Sequence, residues 1–111
     1  MKNIIIDKIP LSWRDFFYFI IMIICREIRV KGKVQGVNFR YHAMQEAQKL
    51  GISGCVQNCD DGTVLIFAQG EEEKMDAFLE WCCKGPSRAM VVGLDVGEIS
   101  DRGYEDFKII R

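Results

Sequence analysis

From Glu27 to Val34 the chain alternates: Ile28, Val30 and Val34 fall on one side, and Glu27, Arg29, Lys31 and Lys33 on the other. That period of two predicts a half-buried strand. Ala43, Met44, Ala47 and Leu50 then recur at helical spacing, predicting a helix over 40–50 that stops at Gly51 and that Asn38 can cap. Ile52 to Cys59 and Thr63 to Gln69 read as two further strands, and the Asp60-Asp61-Gly62 between them is a strong hairpin signal. A second helix follows Gly70. Glu71, Glu72 and Glu73 suit the positive end of its dipole, Met75, Phe78, Leu79 and Cys82 form one face, and Lys84-Gly85-Pro86 ends it. Arg88 to Glu98 predicts a fourth strand with Gly93 and Gly97 as bulges or bends. After a turn at Ser100-Asp101-Arg102-Gly103, Tyr104 to Ile110 reads as a last strand, with Phe107 and Ile109 set against Asp106 and Lys108.

This order is βαββαβ with a short C-terminal strand. It predicts an α+β fold, an antiparallel sheet with two helices on one face, the split βαβ or ferredoxin-like sandwich.

Residues 1–26 read as an N-terminal apolar extension of unknown role, set apart from a domain over 27–111. Its core, Phe16 to Cys25, is an unbroken apolar run preceded by Lys2, Lys8 and Arg14 and closed by Arg26. The run is about half of the ~20 residues that span a bilayer, and no small-x-small cleavage site follows it. Three readings stand: a membrane-associating leader, an extra element packed on the domain, or a translation start placed too early. The last is favoured, because a chain starting at Met22 begins directly at the first strand.

Composition narrows the functional classes. A length of 111 residues with 49% hydrophobic and 28% charged residues describes one ordinary globular domain, and a net charge of −1 argues against a dedicated nucleic-acid binder. The five cysteines, Cys25, Cys55, Cys59, Cys82 and Cys83, make no C-x-x-C pair and have one histidine for company. They support neither a zinc site nor a disulfide framework, and point to reduced thiols in a cytoplasmic protein, with Cys82 as a small core hydrophobe. His42 has no carboxylate or cysteine partner at a telling spacing and reads as an ordinary helix residue.

The chemistry concentrates between the first strand and the first helix, in Lys31-Gly32-Lys33-Val34-Gln35-Gly36-Val37-Asn38-Phe39-Arg40. A glycine-permitted turn can aim successive N–H groups into one concavity, and the first N–H groups of the following helix lack intrahelical acceptors. Arg40 adds a planar cation that can grip phosphate oxygens in bidentate fashion. The spacing is neither that of the P-loop nor that of the dinucleotide fingerprint. The same residues also fit a plain strand-to-helix turn with a salt-bridged surface arginine.

Gly32 to Arg40, then Ala47-Gln48-Lys49-Leu50-Gly51-Ile52-Ser53-Gly54, then Val56-Gln57-Asn58 and Asp61-Gly62-Thr63-Val64, resemble the acylphosphatase family. The likeness continues through Gln69-Gly70, Gly85-Pro86-Ser87-Arg88-Ala89 and Tyr104 to Ile109, and covers about 27–111. It implies a ferredoxin-like sandwich and the hydrolysis of acyl phosphates to a carboxylate and inorganic phosphate. By position, Arg40 would hold the phosphoryl group together with the backbone amides of Gln35, Gly36, Val37, Asn38 and Phe39, and Asn58 would orient the attacking water. No metal or organic cofactor is implied, and the partner is a small acyl phosphate met by a cytoplasmic monomer rather than by a membrane or nucleic-acid binder. Asn38 stands where the family often has glycine, Gln57 where arginine is frequent and Cys55 where an aromatic is frequent. The alternative function is a non-catalytic anion-binding regulatory module of the same fold.

Overall fold

The computed structural model describes residues 23–111. The readings made for residues 1–22 lie outside them. The described elements run β1 (Ile23–Lys33), α1 (Phe39–Leu50), β2 (Ser53–Asn58), β3 (Val64–Glu71), α2 (Glu72–Lys84), β4 (Met90–Glu98) and β5 (Phe107–Ile110).

The strands form one sheet in the order β4-β1-β3-β2-β5. The first four are antiparallel, as the sequence predicts, whereas β5 lies parallel to β2 and makes the sheet mixed. Ile28, Val30, Val56, Val64, Ile66 and Ala68 turn toward the helices and meet Ala43 and Ala47 of α1 and Met75, Phe78 and Cys82 of α2. Phe78 stands at the centre, stacked on Trp81 at 6.2 Å and edge-on to Phe107 at 6.1 Å, so that one ring ties α2 to β5. Cys82 is fully buried, and desolvation holds its thiol protonated, far above the ordinary thiol range.

Several boundaries differ from the alternation. β1 begins at Ile23 rather than Glu27, because Ile23 to Arg26 pair with Glu71 back to Ala68 on β3. Alternation misses these residues because both faces are covered: Ile24 packs on the core, while Cys25 is buried on the opposite face, where its carbonyl accepts from the Ile99 N–H. At the β4 edge the ladder slips between Lys31–Gly93 and Gly32–Val91, so Val92 is the extra residue of a bulge beside Gly93. Gly97 pairs in regular register with Glu27 and marks no bulge. Asn38 occupies the N-cap position of α1 but makes no side-chain cap bond.

The outer face of the sheet is crossed by 99–106, which lead from β4 at one edge to β5 at the other. The Arg102 guanidinium sits 4.5 Å from the centre of the Phe67 ring, and Cys55 Sγ lies 3.7 Å from the Tyr104 hydroxyl. Tyr104 therefore belongs to this crossing and not to β5. Its hydroxyl pKa is raised by burial and by the contact with Cys55. Gly54, opposite Ala68 on β3, has no room for a side chain: a Cβ there would lie 1.8 Å from the Phe67 carbonyl oxygen.

Because Phe78 joins the two layers, Phe78→Ala is expected to lower unfolding free energy by about 3–5 kcal/mol. Urea denaturation checks this, and a loss below ~1 kcal/mol would show that the core closes without that ring.

Candidate active site

The segment between β1 and α1 is fixed by which side chains it buries. Val34, Val37 and Phe39 are almost fully buried, while Gly36 and Asn38 are exposed. Phe39 packs against Trp81 at 5.3 Å, fastening the start of α1 to α2. Each inward side chain thus leaves the intervening backbone on the surface. Gly36 has φ 73° and Asn38 φ 62°, two left-handed residues two positions apart. Such alternation turns peptide N–H groups toward one side and suits glycine, with asparagine the side chain that best tolerates it. The amide hydrogens of Gly36 and Val37 have no acceptor among the described residues, and the first amide of α1 to find a backbone carbonyl is that of His42, 3.1 Å from Asn38 O. The loop is therefore a row of donors at the positive end of a helix.

Arg40 sits one residue inside α1. Its Nη1 reaches the Ile110 carbonyl at 3.5 Å, and no carboxylate among the described residues pairs with it. The salt bridge of the plainer reading is thus not made among the described residues.

Asn58 closes β2 and enters from the other side, where Asn58–Val64 is the last pair of the β2–β3 ladder. The turn beyond it is tightly held. Cys59 N–H donates to Thr63 O at 2.9 Å, Gly62 N–H to Cys59 O at 3.1 Å, and Asp61 accepts from both the amide (3.0 Å) and the hydroxyl (2.6 Å) of Thr63. Arg29 of β1 donates to Thr63 Oγ1 at 2.8 Å and stands 3.7 Å from the Asp61 carboxylate. The hydroxyl bond and then the amide bond from Thr63 hold the Asp61 carboxyl below the usual aspartate range, with Arg29 adding to the effect.

Arg40 and Asn58, eighteen positions apart in the chain, line one cavity of about 300 Å³, together with Gly36, Asn38, Phe39, Val34, Tyr41, Ile109 and Arg111. Of the predicted site residues, two do not line it. Val37 points into the core, and the Gln35 side chain is bonded to the β2–β3 turn. Both were predicted to act through backbone amides, a role independent of where the side chain goes. Val34, Tyr41, Ile109 and Arg111 line the cavity without being expected from the sequence. The parallel register Val56–Ile109 and Gln57–Ile110 brings the end of β5 alongside Asn58, and no local signal in the sequence announces a parallel neighbour.

These elements define a class: a ferredoxin-like α+β domain in which residues of a strand-to-helix loop, an arginine with no carboxylate partner among the described residues, and an asparagine at a hairpin line one small cavity. The chain belongs to the acylphosphatase family, whose model matches residues 26–109. It is 48% identical over 83 residues to an acylphosphatase of Thermotoga petrophila, spanning 75% of this chain and 92% of the relative. The crystal structure of acylphosphatase from Bacillus subtilis superposes with a TM-score of 0.77 at 38% identity, covering 81% of this chain and all of that one. An acylphosphatase structure from Coxiella burnetii gives a TM-score of 0.77 at 35% identity, with coverages of 79% and 93%.

The Asp61 carboxyl stabilises the folded turn above its unfolded pKa, and that contribution is lost as pH falls through its lower folded value. NMR titration is expected to place its midpoint below 3.8, and Thr63→Val is expected to move it up. A midpoint at or above 3.8 in the unsubstituted chain would contradict the hydrogen-bonded turn.

Proposed function

We propose that the chain hydrolyses acyl phosphates to a carboxylate and inorganic phosphate in the cavity between 36–40 and Asn58. The observation that carries this reading is the convergence of Arg40 and Asn58, from separate elements, on one cavity also lined by Gly36, Asn38 and Phe39 of the loop.

In this reading the phosphoryl oxygens take the loop amides and the Arg40 guanidinium, which gather positive charge where negative charge is concentrated in the transition state. Asn58 holds a water through its side-chain amide, on the far side of phosphorus from the acyl oxygen. The water oxygen bonds to phosphorus as the P–O bond to the acyl group breaks, and the electron pair leaves on a carboxylate. A carboxylate needs little protonation as it departs. Asn58 is a poor base, so the water proton passes to a phosphate oxygen of the substrate. In-line positioning and charge stabilisation then supply most of the acceleration.

The substrate is a small acyl phosphate whose acyl part extends toward Tyr41, Ile109 and Arg111 at the cavity wall. We read the domain as a cytoplasmic monomer that does not bind nucleic acid. Five free thiols support the reducing compartment, and a net charge of −1 supports the absence of nucleic-acid binding. No helix among the described residues is long and apolar enough to cross a membrane.

Arg40→Ala is expected to slow benzoyl phosphate hydrolysis by at least ~10²-fold. Asn58→Ala is expected to remove most turnover while inorganic phosphate still binds. Full activity in Arg40→Ala would refute the mechanism, and phosphate binding without hydrolysis in the unsubstituted chain would favour an anion-binding module.

A further inference from the structure

We infer that the side chain of Gln35 is a positioning residue that ties the phosphate-receiving loop to the hairpin carrying Asn58, and so sets the span between the two halves of the site. This rests on the hydrolytic reading above.

Gln35 Nε2 lies 2.7 Å from the Cys59 carbonyl oxygen and 2.8 Å from that of Thr63. Both partners are acceptors only, so the amide must present its NH₂ and spend both hydrogens on the hairpin. Those two carbonyls also close the turn, accepting from Gly62 N–H and Cys59 N–H. With Gln35 each carbonyl receives a second donor, filling its two lone pairs. The bond thus crosses the open end of the β2–β3 turn as an extra rung contributed from outside it.

The placement within the chain gives the rung its consequence. Gln35 immediately precedes Gly36 of the cavity, and Cys59 immediately follows Asn58. β1 and β2 are not neighbours in the sheet, because β3 lies between them. Apart from Gln35, the loop after β1 and the asparagine ending β2 are related through the ladders that each strand makes with β3, through the packing of α1 on the shared core, and through the 3.5 Å contact of Arg40 with the Ile110 carbonyl of β5, which pairs with Gln57 of β2. Arg29 holds the same turn from the outer face by its bond to Thr63 Oγ1, but it is bonded to no part of the loop. Gln35 bonds the phosphate half of the site directly to the turn that follows Asn58.

Displacing a reacting group by about 1 Å can cost on the order of 10²-fold in rate. Gln35→Met keeps the unbranched shape and removes both donors. In benzoyl phosphate kinetics it is expected to lower kcat at least ~10-fold while inhibition by inorganic phosphate stays within ~2-fold. In the Asn58→Ala background the same change is expected to cost less than ~2-fold of the residual turnover, because the group being positioned is gone. An unchanged kcat, a parallel weakening of phosphate inhibition, or fully additive losses would each overturn the inference. Amide hydrogen exchange gives a readout that needs no turnover: Cys59 and Gly62 should exchange about 10-fold faster in Gln35→Met, with α1 unaffected. Unaltered exchange at the hairpin overturns the tie. Faster exchange in a chain that hydrolyses nothing refutes the hydrolytic reading and upholds the tie.

Discussion

The burial of Val34, Val37 and Phe39 is the constraint on which the site depends. A backbone fixed by three inward apolar side chains cannot rotate its intervening peptides without exposing one of them, and each fully buried side chain of this kind is worth about 1.5–3 kcal/mol. The left-handed turns at Gly36 and Asn38 are thereby held in place, and the N–H groups of Gly36 and Val37 are kept without an acceptor among the described residues. Hydrophobic packing on one side of the loop thus maintains electrostatic readiness on the other.

The second half of the site is placed by hydrogen bonds in place of apolar burial. Asn58 is exposed, and its position follows from the β2–β3 ladder and from the turn that Asp61, Thr63, Arg29 and Gln35 hold together. β5 closes the cavity from a third direction, anchored by Phe107 against Phe78. Three unconnected stretches therefore meet at one point, because a single sheet carries two of them and the loop between the first strand and helix carries the third.

Much of this was legible beforehand. The two helices and the antiparallel strands follow from periods of 3.6 and 2, and Asp60-Asp61-Gly62 placed the hairpin correctly. What escaped has a common cause, in that it depended on neighbours distant in the chain. Ile23 to Arg26 hid their strand because both their faces are covered, Gly97 resembled a bulge that Val92 makes, and β5 gave no hint of pairing parallel to β2. Of the residues lining the cavity, motif likeness singles out Arg40 and Asn58, while Ile109 and Arg111 need the register of β5. The Gln35 side chain leaves no trace in the sequence, because its partners are backbone carbonyls, which no residue type reveals.

Titrating ¹⁵N-labelled protein with inorganic phosphate asks whether the loop amides and Arg40 receive a phosphoryl group opposite Asn58. Saturable shifts are expected, concentrated in the amides of Gly36 to Arg40 and in the Arg40 and Asn58 side chains. Shifts concentrated instead at the outer face, around Cys55 and Tyr104, with 36–40 unmoved, would contradict it.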